Sequence, residues 1–340
     1  MRRLQLLKRA IFPFILSIAA TITFAQTTPY RYVRVGNPAD ADATSHAGFA
    51  LMGGGKDLDD AFRWLCERAG GGDLLVLRAT GDDKYNPYIN KLCKLNSVAT
   101  LVIPSRAAAG DAFVADKISH ASALFIAGGD QANYINFWRS SPVQAGVNAA
   151  IRRGVPISGT SAGLAVLGEY AYSAQGDKPD DPNLDGKTAM ADPFSPRVTL
   201  VHGFLDIPIL RGVVTDTHFA KRDRMGRLMV FLARIQQQNR ESAKARLLRG
   251  IGIEERAAVL LEPDGQARVV GEGAAYFVDT TRADGRLVSG APLTYGPYDV
   301  LKVSPGRTFN VKTWHGEAVD YALSVEAGSI RSTQPDGAVY

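Results

Sequence analysis

Between residues 47 and 280, short apolar runs alternate with amphipathic stretches of helical length, the pattern of β-α-β units feeding a mainly parallel sheet. The runs at 48–52, 73–77, 100–103, 123–127, 155–158 and 212–215 read as strands, because apolar residues follow one another without helical spacing and Gly, Pro or polar residues bound them. The stretches at 58–69, 87–95, 132–139, 143–153 and 224–238 read as the helices between them. From Gly250 onward the texture shifts to short strands at 257–261, 267–270 and 275–278, with a turn at Pro263-Asp264-Gly265. The predicted organisation is a lead over 26–46, an α/β unit over 47–280 and a β-rich or irregular extension over 281–340. One polar stretch interrupts the α/β unit, at 175–196; long insertions dense in Asp, Pro and Gly serve compact domains as functional loops or lids.

The first 25 residues are expected to be a secretory signal peptide. Arg2, Arg3, Lys8 and Arg9 form a basic head, an apolar run follows over 10–24, and the small Ala25 closes it. The run contains Pro13 and falls short of the ~20 apolar residues of a spanning helix, so the expectation is an exported protein, periplasmic or extracellular, without a permanent membrane anchor. Four of the 39 basic residues lie in this segment and none of the 34 acidic ones do, which leaves 35 − 34 = +1 for the rest. The basic balance belongs to the leader, and no nucleic-acid partner is expected. Cys66 and Cys93 either pair in an oxidising compartment or sit as two buried thiols in neighbouring helices. Neither has metal-ligand spacing to the five histidines, so neither a metal nor an organic cofactor is expected. A homodimeric state is left open.

Three strand ends carry chemistry. Gly159-Thr160-Ser161-Ala162-Gly163 follows a β-branched run and precedes a helix-forming stretch, the setting of a G-x-S-x-G elbow that holds a serine in a strained turn at a strand's carboxyl end. Ser161 is the candidate nucleophile. Phe125-Ile126-Ala127-Gly128-Gly129-Asp130-Gln131 is a second strand running into a glycine pair, whose Gly128 or Gly129 amide, together with that of Ala162, would form an oxyanion hole. Asp130 reads equally as a helix cap. The third is 215–228, where His218 follows a strand, the placement of a base for an unactivated serine hydroxyl. Arg222, Arg224 and Arg227 crowd the same stretch beside Asp216; guanidinium forks suit a substrate carboxylate, and an acid suits a cationic group.

Together, FIAGGDQ at 125–131, GTSAG at 159–163, TDTHFAKRDRMGRL at 215–228 and GIGIEERAAVLL at 250–261 resemble the cyanophycinase-like serine peptidases, relatives of the aspartyl dipeptidases within the class I glutamine-amidotransferase-like fold. The resemblance covers roughly 48–278 and implies a flavodoxin-like three-layer α/β sandwich. It also implies Ser161 as nucleophile, His218 as base, and substrate contacts from Asp130, Gln131, Asp216, Arg222, Arg224 and Arg227. An acid orienting the base is expected in the loop after the elbow helix. Thr188 stands at its place here, and Asp177, Asp180, Asp181 and Asp185 are the candidates nearby. The implied partner is a peptide or polymer rich in Asp and Arg, namely cyanophycin, a polyaspartate bearing arginine on each side chain, cut to β-Asp-Arg through an acyl-enzyme. An aspartyl dipeptidase for short peptides and a non-catalytic ligand-binding relative are the other readings.

Overall fold

The computed structural model describes residues 28–241 and 247–340; the signal-peptide segment lies outside the described residues. The first sheet takes β1 (Arg31–Gly36), β2 (Phe49–Met52), β3 (Asp73–Arg78), β4 (Ser97–Val102), β5 (Ala123–Ile126) and β6 (Ile157–Thr160). Its centre runs β4-β3-β5-β6-β2, all parallel, and β1 lies antiparallel along β4. These strands read as unbroken apolar runs because both faces are covered. Leu74 and Val76 of β3 pack towards helix Asp59–Arg68, while Leu75 and Leu77 enter the main core on the other side, as the two-residue strand period requires. Cys66 in that helix and Cys93, just past helix Tyr85–Leu92, form a disulfide with Cα atoms 6.1 Å apart.

The parallel centre of the first sheet is the one the pattern predicts, and the rest of the chain adds a second sheet to it. It supplies β7 (Tyr170–Tyr172), β8 (Leu200–His202), β9 (Val213–Asp216), β10 (Arg249–Ile253), β11 (Ala257–Leu261), β12 (Gln266–Gly271) and β13 (Ala275–Asp279). β11 and β12 extend the first sheet antiparallel beyond β2, but β9 belongs to a second sheet, parallel to β7 on one edge and β10 on the other. Both hydrogen-bonding edges of β9 are thereby filled, and both faces are buried. Val213 enters the core shared with the first sheet, and Val214 packs in the core that holds helix Met225–Glu241. Within 281–340, Tyr295–Val303 pairs with β13 and Val319–Glu326 pairs with it in turn, while Thr308–Asn310 pairs with β12. That segment therefore continues both sheets. The carboxyl ends of β5, β6, β9 and β10 lead into Gly128, Ser161, His218 and Glu255 respectively.

Candidate active site

The turn after β6 is fixed by close backbone passage. A Cβ on Gly159 would lie 2.5 Å from the Gly163 carbonyl oxygen, and one on Gly163 would lie 2.0 Å from that of Ile126, so only glycine fits at either place. Between them Ser161 adopts φ 51° and ψ −119°, a conformation that a non-glycine residue keeps only where its surroundings dictate it. Thr160 donates its hydroxyl to Asp57 Oδ1 at 2.6 Å, and Tyr85 donates to Asp57 Oδ2 at 2.5 Å. Burial pushes the Asp57 carboxyl up and these two bonds oppose it. The elbow thus rests on a polar post set into the first sheet's apolar face.

His218 follows β9 with φ 47°, its N–H bonded to Gly53 O at 2.8 Å. Its ring lies against Gly54, where a Cβ would come within 2.5 Å of the imidazole. Nε2 is 2.7 Å from Ser161 Oγ, and Nδ1 is 2.7 Å from Glu255 Oε1. A carboxylate only accepts, so Nδ1 carries the proton and Nε2 is left to accept from the serine hydroxyl. Burial holds the His218 pKa below the ordinary histidine value; the Glu255 bond works against this, and the Arg222 and Arg224 charges add to it. The imidazole is therefore neutral at neutral pH, the form a general base requires.

Glu255 was not among the candidate acids, and none of Asp177, Asp180, Asp181 and Asp185 bonds to His218. Asp177 accepts from Tyr172 Oη at 2.5 Å and faces Arg197, and Asp181 pairs with Arg197 at 2.6 Å. Asp185 caps helix Gly186–Ala191 by accepting from Thr188 N at 2.7 Å, and Asp180 is exposed. The register explains the correction. β9 and β10 are parallel neighbours with Gly252 opposite Asp216, so the residues just past both carboxyl ends, His218 and Glu255, meet. The signal lay in the segment 250–261, where an acid follows a strand.

A cavity of about 580 Å³ opens beside Ser161. Gly129 and Ala162 line it next to the nucleophile; Ala162 opens a helix whose first-turn N–H groups have no intrahelical partner, and a Cβ on Gly128 would meet the Ser161 Cβ at 3.4 Å. The backbone at Gly128, Gly129 and Ala162 thus lies beside the nucleophile. Asp130, Gln131, Arg222, Arg224 and Arg227 all reach the cavity wall. Asp130 also caps the helix it precedes, accepting from Ala132 N. Asp216 is a second correction: it is 1 % exposed and bonded through both oxygens to Arg227, whose guanidinium also donates to Leu184 O. That pair is a buried buttress, and a cationic ligand would have to use Asp130 or Asp177 on the cavity wall. Arg224 is held by Thr217 and by Asn183 from the polar loop, and burial beside Arg227 lowers its pKa to about 9. Arg222 is exposed on the same wall.

Peptidase family S51 matches residues 50–264, well over half of the chain. The cyanophycinase of Trichormus variabilis is 32 % identical over 161 residues, covering 47 % of this chain and 46 % of that protein, so the match spans about half of that relative's length. That of Synechococcus elongatus is 27 % identical over 248 residues, covering 69 % of each, and that of Geminocystis herdmanii 24 % over 271 residues, covering 76 % of this chain and 89 % of the relative. Among solved structures, a peptidase from an acI-B1 Actinobacterium covers 79 % of this chain and 98 % of its own, at 16 % identity and a TM-score of 0.49. Ser161, His218 and Glu255 all fall inside the matched segment, and the chain belongs to peptidase family S51, a family of serine-type peptidases.

Proposed function

We propose that the protein is an exported serine peptidase that hydrolyses cyanophycin to β-Asp-Arg dipeptides. The observation that carries the reading is the Ser161–His218–Glu255 relay opening onto a cavity whose wall bears Arg222 and Arg224. In each unit of the polymer the arginine offers a free carboxylate for those guanidinium groups, and its own guanidinium suits Asp130 or Asp177. Relatives named cyanophycinase support the substrate class. A disulfide between Cys66 and Cys93 supports an oxidising compartment, in keeping with the basic and apolar segment over 1–25. Among the described residues no helix is long and apolar enough to cross a membrane.

The chemistry follows from the distances. His218 Nε2 takes the Ser161 proton as Oγ attacks a backbone carbonyl of the polymer, and Glu255 stabilises the imidazolium that forms. The amides of Ala162 and of Gly128 or Gly129 receive the oxyanion. His218 then passes the proton to the leaving amine, and water resolves the acyl-enzyme by the same route reversed. The test is incubation of the protein with purified cyanophycin and mass spectrometry for β-Asp-Arg, with Ser161→Ala as control. Product from the wild type and none from the variant supports the proposal. Stoichiometric fluorophosphonate labelling of Ser161 without any polymer product would replace it with a dipeptidase, and ligand binding without labelling with a non-catalytic relative.

A further inference from the structure

Residues beyond the family-matched segment reach back to the arginine-bearing wall. Tyr340 Oη accepts from Met225 N at 3.0 Å and donates to Asp223 Oδ1 at 3.0 Å. Met225 opens helix Met225–Glu241, so its N–H has no partner inside the helix, and the tyrosine hydroxyl acts as its cap. The ring is seated edge-on to Phe219 and Tyr276, with centroids 6.0 and 5.8 Å away, and the preceding Val339 is tied down by the Tyr321 hydroxyl at 2.8 Å. Asp223 sits between Arg222 and Arg224 and has φ 47°, in the left-handed region that aspartate enters more readily than most residues. Three bonds hold it: its own N–H donates to Ala220 O at 3.1 Å, Gly186 N bonds its carbonyl at 2.8 Å, and Tyr340 bonds its carboxylate.

We propose that Tyr340 is a positioning residue which fixes the Arg222–Arg224 turn and thereby sets affinity for the carboxylates of the substrate. Arg224 has side-chain anchors of its own in Thr217 and Asn183, whereas the exposed Arg222 is tied through its backbone N–H to His218 O, and Tyr340 steadies the residue that follows it. His218 shares one bond with this turn, its carbonyl accepting from Arg222 N at 2.9 Å, but its ring and its own N–H are held by Glu255 and Gly53, so the aim of the base rests on contacts outside the clamp. The affinity part of the inference rests on the acidic-substrate reading given above.

The experiment compares wild type, Tyr340→Phe, Tyr340→Ala and Asp223→Asn in the full chain. Three quantities are read: fluorophosphonate labelling rate of Ser161, the concentration of β-Asp-Arg that halves that rate, and amide exchange over 217–227. Tyr340→Phe keeps the ring and loses both hydroxyl bonds. It should speed exchange over 217–227 and raise the half-protecting concentration roughly three- to tenfold, with the unprotected labelling rate within about twofold of wild type. Tyr340→Ala should do more, and Asp223→Asn, which keeps an acceptor, should stay near wild type. Unchanged protection and exchange in both Tyr340 variants would overturn the proposal, as would a labelling rate that falls as far as the affinity. If β-Asp-Arg fails to protect the wild type, the substrate reading has failed, and exchange alone then decides the clamp: an unchanged rate in Tyr340→Phe sinks it.

Discussion

The two walls of the cavity are held in place by different physics. The elbow at Ser161 is fixed by backbone packing: Gly159, Gly163 and Ile126 pass so close that no side chain can enter, and the strands on either side are wholly buried. The polar loop at 175–196 has backbone bonds and buried residues too, such as Gly186 N to Asp223 O and Leu184, but along its cavity side it is fixed by side-chain contacts. Asp177 to Tyr172, Arg197 to Asp181, Asn183 to Arg224 and the Asp185 cap each tie down one point. Close packing allows one geometry and fails abruptly, whereas a set of polar ties loosens one contact at a time. The nucleophile therefore belongs on the first kind of wall and a substrate-adapting surface on the second.

That contrast is most sharply tested at Gly163. Gly163→Ala places a methyl group 2.0 Å from the Ile126 carbonyl oxygen, an overlap that only a backbone shift can relieve. The expected cost is about 3 kcal/mol in stability, and displacement of Ser161 should lower its fluorophosphonate labelling rate at least about 100-fold. Thermal melting and labelling kinetics measure the two. A variant labelling at the wild-type rate would show that the elbow tolerates movement, and the distinction between the walls would fall.

Next in size is the relay. Glu255→Gln keeps the shape but offers the imidazole an amide, and kcat should drop by roughly 10³ to 10⁴, with KM little changed. The pH profile adds a sign. Neutral His218 is the working form and its pKa lies below the ordinary histidine value, so activity should be level at neutral pH and be lost only on acidification past the range in which a free histidine titrates. Replacing Arg222 by Gln removes a nearby positive charge that favours the neutral ring, so the acid limb should move to higher pH. A limb that stays in place would mean that the Arg222 charge is screened from the imidazole.

The same difference explains what could be read from the sequence. Ser161 and His218 were legible because local features specify them: glycines around a serine between a strand and a helix, and a histidine just past a strand. The buried strands of the first sheet were legible for the same reason, since an apolar run bounded by turn residues is a local pattern. Which sheet β9 joins is not local. It depends on β7 and β10, more than 30 residues away on either side, and without that pairing Glu255 has no visible link to His218. Asp216 misled for a related reason. A polar residue at a strand end reads as a ligand, yet here Arg227 of the following helix bonds both of its oxygens in a buried pair, with Arg227 itself still reaching the cavity wall.

The smallest expected effect belongs to the outermost tie of the loop. Asp181 pairs with Arg197 through one oxygen, and its side chain is 57 % exposed, so water and salt screen the attraction. Arg197 keeps other holds: it donates to the Asp181 backbone carbonyl and faces Asp177 at 3.6 Å. Asp181→Ala should therefore cost below about 1 kcal/mol, change the KM for peptide hydrolysis by no more than about twofold, and leave the Ser161 labelling rate untouched. Raising the salt concentration should shrink even that difference between variant and wild type. A tenfold loss of affinity from this one exposed carboxylate would mean that the loop moves as a single cooperative unit, packed as rigidly as the elbow it faces.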